Sequence, residues 1–238
     1  MRGFHQQLWV TAALSDEDVP TALTLSFSMR EAMSNRKIGV IISPAVSPSF
    51  MALVDQCFDI VFPLHENWNK ASLPTDQFAK LFTFTLKSFK KCVFLEPTML
   101  IIKNADEIFE EYEDFTRVFF PNGDNSFVFM VKPSVSAFRD IMNALISEKE
   151  NGASFQHLVK KLTSENDCKN NFFSEKYNHS LSSRNNEDIF IAHLPLDWGM
   201  EMDWNKLSVF EQIVFKKYKN IYQNNVLPML AGCKENVS

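Results

Sequence analysis

Glycine is scarce in this chain, with six residues in 238. A loop that cradles phosphate needs close backbone approach without a Cβ, so the shortage leaves little room for a Gly-rich nucleotide loop. Cysteine is sparse too. Cys57, Cys92, Cys168 and Cys233 show no Cys-x-x-Cys spacing. They read as reduced thiols of a cytoplasmic protein, neither zinc ligands nor disulfide staples. No apolar run approaches the roughly 20 residues of a membrane span. The run Leu8 to Leu14 is too short for a secretory signal and meets Ser15-Asp16-Glu17-Asp18 at once. Positive charge is not in excess: 24 Lys and Arg stand against 29 Asp and Glu, a net charge of −5. That balance argues against nucleic acid as a partner. The local basic spots at Lys87, Lys90, Lys91 and at Lys216, Lys217, Lys219 read as solvated helix faces. Gly-x-Ser-x-Gly, His-Glu-x-x-His and Walker patterns are all missing.

What is present fits one globular domain over residues 1–238. Hydrophobic residues make up 45% and charged residues 22%, ordinary values for a chain that buries a sizeable core. Phenylalanine is abundant at 23 residues. Core packing accounts for most such rings, and an apolar interface would suit the remainder.

The hydrophobic pattern alternates strand and helix. Leu8 to Leu14 predicts a strand, Val19 to Ser34 a helix with Pro20 in its first turn, and Lys37 to Ser43 a second strand. Ser47 to Cys57 predicts a helix capped by Ser47 with Pro48 at its first position, and Phe58 to Leu64 a third strand. This order predicts a doubly wound α/β domain with a mostly parallel central sheet flanked by helices. A loop at His65 to Asp76, a helix at Gln77 to Phe89 and a strand at Lys91 to Ile102 follow. Then come a short acidic helix at Glu107 to Thr116, a turn cluster from Phe120 to Asn125 and a strand at Phe127 to Val131. Val135 to Lys149 and Ser154 to Leu162 read as helices. Ser164 to Glu187 is polar and predicts a flexible loop. Ile189 to His193 is a late strand, and Leu207 to Leu230 a closing helix broken near Pro228.

Trp9-Val10-Thr11, Ala22-Leu23 with Ser28, Ala79-Lys80-Leu81 and Lys91 to Phe109, taken in order, resemble segments of glycogenin-type, family 8 glycosyltransferases. Trp9-Val10-Thr11 resembles the first strand of that family, Ala22-Leu23 with Ser28 its first helix, and Ala79-Lys80-Leu81 its Thr-Lys-Leu helix start. Lys91 to Phe109 matches in length and apolar pattern, including Asn104, Asp106 and Phe109. Asn125-Ser126, Lys132-Pro133-Ser134-Val135, Asn220-Ile221-Tyr222 and Val226 to Leu230 resemble further family segments in the same order. The resemblance implies a Rossmann-like nucleotide-diphospho-sugar transferase fold of the GT-A type. It implies a vestigial nucleotide contact at Lys80. It places the family's metal positions at Glu96, Thr98 and His193.

The chemistry implied by the resemblance is not retained. In the family a divalent cation, usually manganese, neutralises charge on the departing diphosphate. The Asp-x-Asp frame that holds it is Glu96-Pro97-Thr98 here, with a neutral hydroxyl for the second carboxylate and a proline stiffening the turn. His193 survives at the third metal position. The family's diphosphate-gripping lysine falls in Leu196-Asp197-Trp198-Gly199-Met200, and its sugar-contacting Gly-Asp-Gln falls on Gln156-His157-Leu158-Val159. The small residue after Asn-Ser becomes Phe127, which would fill the sugar's path. The base-stacking aromatic falls on Asp18, a loss on the order of 1–3 kcal/mol. The self-glucosylated tyrosine has no counterpart, Tyr177 being the nearest nomination. Together these changes imply a catalytically inactive protein with no cofactor that works with protein partners, as a homo- or heterodimer. The alternatives are a divergent transferase using manganese and a UDP-sugar, or a nucleotide-sugar sensor without turnover.

Overall fold

Alternation along the strands builds a sheet with two apolar faces. In β1 (Gln7–Ala13), Trp9 and Ala13 face one side while Leu8, Val10 and Ala12 face the other, and Leu8 to Ala13 are all buried. The structure is a computed structural model that describes residues 6–65, 75–111, 118–121, 128–147, 172–173, 175–177, 179–180, 189–194 and 207–235. After β1 come α1 (Val19–Glu31), β2 (Lys37–Ile42), α2 (Pro48–Cys57), β3 (Ile60–Pro63), α3 (Thr75–Phe82) and β4 (Lys91–Leu95). Then come β5 (Met99–Ile101), α4 (Ile108–Glu111), β6 (Val118–Pro121), β7 (Val128–Val131), α5 (Val135–Ser147), β8 (Phe172–Phe173), β9 (His179–Ser180) and β10 (Ile191–His193). The chain closes with α6 (Val209–Ile221) and α7 (Leu227–Glu235).

The main sheet runs β3-β2-β1-β4-β7-β6-β8. Its first four strands are parallel, and β7 pairs antiparallel with β4 and β6. A smaller sheet, β5-β10-β9, lies beside it. Helices α1 and α2 contribute Leu23, Leu25, Met29, Leu53 and Val54 to the core on one face. Helices α3 and α5 contribute Phe78, Leu81, Ala137 and Ile141 to the core on the other. A third cluster joins Leu100 and Ala192 of the small sheet to Phe210, Val214 and Ile221 of α6. Strands buried on both faces read as near-continuous apolar runs, which is why Lys91–Leu95 is buried throughout. Gly39 sits where β2 meets β3: a Cβ there would lie 2.8 Å from the ring of Phe62.

Several boundaries differ from the pattern reading. Lys91 to Ile102 is two strands in two sheets. The Glu96-Pro97-Thr98 turn divides them, closed by the Met99 amide donating to the Glu96 carbonyl at 3.0 Å, because proline gives the ladder no N–H. Gln77 to Phe89 is helical only to Phe82, with a 3₁₀ turn at Thr83–Thr85. The closing helix does not break at Pro228. A π-helical turn at Tyr222–Val226, in which the Leu227 amide reaches back to the Tyr222 carbonyl, precedes Pro228 and lets the helix continue to Glu235. Ser47 stands at the N-cap of α2, but its hydroxyl pairs with Ser49 at 3.1 Å and makes no cap bond. Strand β6 takes Phe120 and Pro121, the first two residues of the expected turn cluster, because they pair with β8; residues 122–125 of that cluster lie outside the described residues. The expected loop at Ser164 to Glu187 contains β8, a 3₁₀ turn at Glu175–Tyr177 and β9. The helix expected at Ser154 to Leu162 lies outside the described residues.

Candidate functional site

In an open α/β sheet, ligands bind beyond the carboxyl ends of the strands, where the strand order reverses direction. Here that point is between β1 and β4. A cavity of about 370 Å³ opens there, lined by Ala12 and Leu14 at the end of β1, Asp18 and Thr21 at the start of α1, Ala79 of α3, Phe94 at the end of β4, Glu96, Pro97, Thr98 and His193.

The three expected metal positions do come together at this cavity, and Lys80 comes with them. The Lys80 ammonium lies 2.5 Å from Glu96 Oε1, and both side chains are largely withdrawn from solvent. Helix α3 places Lys80 there because its neighbours Phe78, Ala79 and Leu81 are buried against the sheet. His193 sits opposite Met99 in the antiparallel β5–β10 pair. The Leu194 amide donates to the Thr98 carbonyl at 2.8 Å. That register brings His193 Nε2 within 3.2 Å of Thr98 Oγ1. Burial lowers the His193 pKa below its ordinary value of 6.5, favouring the neutral imidazole.

These donors do not fit a manganese site. A hard cation wants several anionic oxygens. Glu96 already faces an ammonium, Thr98 offers a neutral hydroxyl, and the His193 ring nitrogen is engaged by that hydroxyl. Among the described residues no cluster of three or more His, Cys, Asp or Glu side chains is placed to hold a metal ion.

Asp18, where the resemblance puts the base-stacking aromatic, lines the same cavity. Its Oδ2 accepts from the amides of Leu14 at 2.9 Å and Ser15 at 3.0 Å, which fixes the turn out of β1. Tyr177 is elsewhere and fully buried. Its hydroxyl lies 3.0 Å from Glu107 and 2.9 Å from Glu111, and Lys176 bonds the same two carboxylates. Ser28, part of the resemblance in the first helix, is buried and bonds the Ile101 amide at 3.1 Å, tying α1 to the small sheet. Asp106 is a structural hub, accepting from Trp9 at 3.0 Å, Ser34 at 2.6 Å and the Asn35 amide at 2.9 Å. Cys57 and Cys92 are buried free thiols, and burial raises both pKa values. Phe127, Gln156 to Val159 and Leu196 to Met200 lie outside the described residues.

The sequence reading missed the pairing of Lys80 with Glu96 and the apolar walls formed by Leu14, Ala79 and Phe94. The one available signal was the Ala-Lys-Leu helix start, which put Lys80 near the nucleotide but did not pair it with the acid.

No protein-family model matches the chain. Curated relatives include glycogenin-1 of Caenorhabditis elegans, 29% identical over 152 residues, which cover 59% of this chain and 35% of that one. Glycogenin-1 of Homo sapiens is 28% identical over 154 residues, covering 60% and 44%. Glycogenin-2 of Homo sapiens is 31% identical over 140 residues, covering 54% and 28%. The chain spans about a third to a half of the length of the first curated relatives it matches. Among solved structures, the galactosyltransferase LgtC in complex with donor and acceptor sugar analogues superposes with a TM-score of 0.67 at 11% identity, covering 95% of this chain and 99% of that one. The apo form of the glycosyltransferase GlyE of Streptococcus pneumoniae TIGR4 gives 0.64 at 14% identity, covering 92% and 62%. The fold is therefore that of the GT-A glycosyltransferases, and the sequence is glycogenin-like. No helix among the described residues is long and apolar enough to cross a membrane.

Proposed function

We propose that this chain is a glycogenin-like protein that has given up metal-dependent glycosyl transfer and acts in the cytoplasm as a protein-interaction module, as a homo- or heterodimer. The observation that carries this reading is the Lys80–Glu96 ion pair at 2.5 Å. Transfer from a nucleotide sugar requires positive charge and hard ligands to meet the departing diphosphate. Lys80, the lysine that the resemblance assigns to the nucleotide, turns its charge on the chain's own glutamate. Thr98 and His193 turn to each other. Both groups that a donor and its metal would need are satisfied internally, and ground-state contacts of that kind oppose transition-state binding. The interaction role follows from the loss of chemistry on a retained scaffold, since fold alone does not fix function.

The test is a turnover assay. Purified protein is incubated with UDP-glucose and manganese, and released UDP and hexose addition to the protein are measured. The reading expects neither above the no-enzyme control. UDP release that disappears in Glu96→Gln or His193→Ala would establish a divergent transferase instead.

A further inference from the structure

We propose that the cleft at the β1–β4 switch point binds an organic cation: a protonated amine or guanidinium carried on an apolar body. The inference rests on the reading that this cleft no longer serves a metal–diphosphate pair.

The cavity has the size of a small-ligand site, within the roughly 300–1,000 Å³ typical of such pockets, at about 370 Å³. Its walls are carbon from Ala12, Leu14, Ala79, Phe94 and Pro97. Phe94 stacks on Phe129 in the core with ring centroids 5.0 Å apart, which makes that end of the cavity rigid. The charged side chains among the described lining residues are Asp18 and Glu96, both carboxylates. Lys80 is not a lining residue, yet it meets Glu96 at 2.5 Å and offsets that charge. Asp18 then leaves the cleft with negative character, its carboxylate fixed by two backbone amides of the β1–α1 turn.

Charges act more strongly beside a low-dielectric wall than in water. A diphosphate entering this space meets carboxylates where it needs cations. An ammonium or guanidinium meets an oriented carboxylate, and the apolar body that carries it meets the carbon walls. Two sources present that chemistry: a free aromatic amine, and the Lys or Arg side chain of a partner polypeptide.

The experiment is calorimetric titration of the full chain at low salt with phenethylamine, phenethyl alcohol and 3-phenylpropanoate, and in a second arm with a capped arginine peptide. The amine is expected to bind at least about tenfold more tightly than the alcohol, with the carboxylate weakest. Asp18→Asn is expected to remove the preference for the amine. Glu96→Gln, which leaves the Lys80 charge without that carboxylate, is expected to move the preference toward 3-phenylpropanoate. Circular dichroism checks that both variants fold. A tighter complex with the arginine peptide than with phenethylamine assigns the site to a partner's side chain, and the reverse order assigns it to a free amine. Equal binding of amine and alcohol, tighter binding of the carboxylate, or no binding of any probe would overturn the proposal. Such a failure, with UDP-glucose still silent, removes this inference alone. Metal-dependent binding of UDP-glucose removes the reading beneath it.

Discussion

Lys80 and Glu96 meet at 2.5 Å beside the β1–β4 switch point, joining helix α3 to the turn that ends β4. The glutamate occupies the first position of what the resemblance makes a metal frame. Its partner is the lysine that the same resemblance assigns to the nucleotide. Each satisfies the other.

Breaking that pair should destabilise the fold. Removing one member of a well-buried pair costs about 3–5 kcal/mol. Glu96 keeps about a fifth of its side-chain surface in solvent, so screening reduces the expected cost of Lys80→Met to about 1–3 kcal/mol. Urea unfolding measures it. The double variant Lys80→Met with Glu96→Met should recover most of the loss, because the remaining charge is then also removed.

Tyr177 should behave as a structural bolt and not as a sugar acceptor. It is fully buried, and its hydroxyl lies between Glu107 and Glu111. Tyr177→Phe should cost about 1–2 kcal/mol by removing the one O–H that the two carboxylates share, Lys176 remaining as their other donor. Intact-mass and peptide mass spectrometry after incubation with UDP-glucose should find no hexose on Tyr177.

Met33 holds a conformation that suits glycine. It follows α1 with φ of 56°, is 81% exposed, and the Ser34 amide closes the helix end by donating to the Met29 carbonyl. An L-residue there pays a steric cost that glycine does not. Met33→Gly should stabilise the protein by up to about 1 kcal/mol, the left-handed strain of about 1–2 kcal/mol less the larger unfolded-state entropy of glycine, read as a raised urea midpoint with unchanged slope.

Acid should weaken the fold in part through His193. Its folded pKa lies below the unfolded value near 6.5 because burial disfavours the charged ring. The unfolded chain therefore binds the proton first. The stability contributed by neutral His193 is complete above pH 6.5, declines as pH falls through the window below it, and levels off once pH is below the folded pKa. His193→Gln should flatten the stability profile across that window, as followed by urea unfolding at a series of pH values.

Much of the fold was legible because strands buried on both faces announce themselves as apolar runs. Lys37 to Ser43 and Leu8 to Leu14 were placed within a residue or two of their observed bounds. The convergence of Glu96, Thr98 and His193 was legible only through the resemblance, since it depends on the pairing of Met99 with His193. Other features depend on contacts that no local pattern carries. Strand β6 is an antiparallel partner of β7, and it was hidden because Phe120 and Pro121 open a turn-rich segment. Pro228 looked like the helix breaker, whereas the unsatisfied backbone was accommodated earlier by the π-turn at Tyr222–Val226. The Lys80–Glu96 pair was invisible for the same reason. Only the packing of Phe78 and Leu81 under α3 aims the lysine at the turn.

The most direct test of the central claim is calorimetric titration of the full chain with UDP-glucose in the presence and absence of manganese. With Lys80 and Glu96 satisfying each other and Thr98 in place of a second carboxylate, the account predicts no heat that depends on the metal. Micromolar binding that requires manganese and vanishes in Glu96→Gln would contradict it.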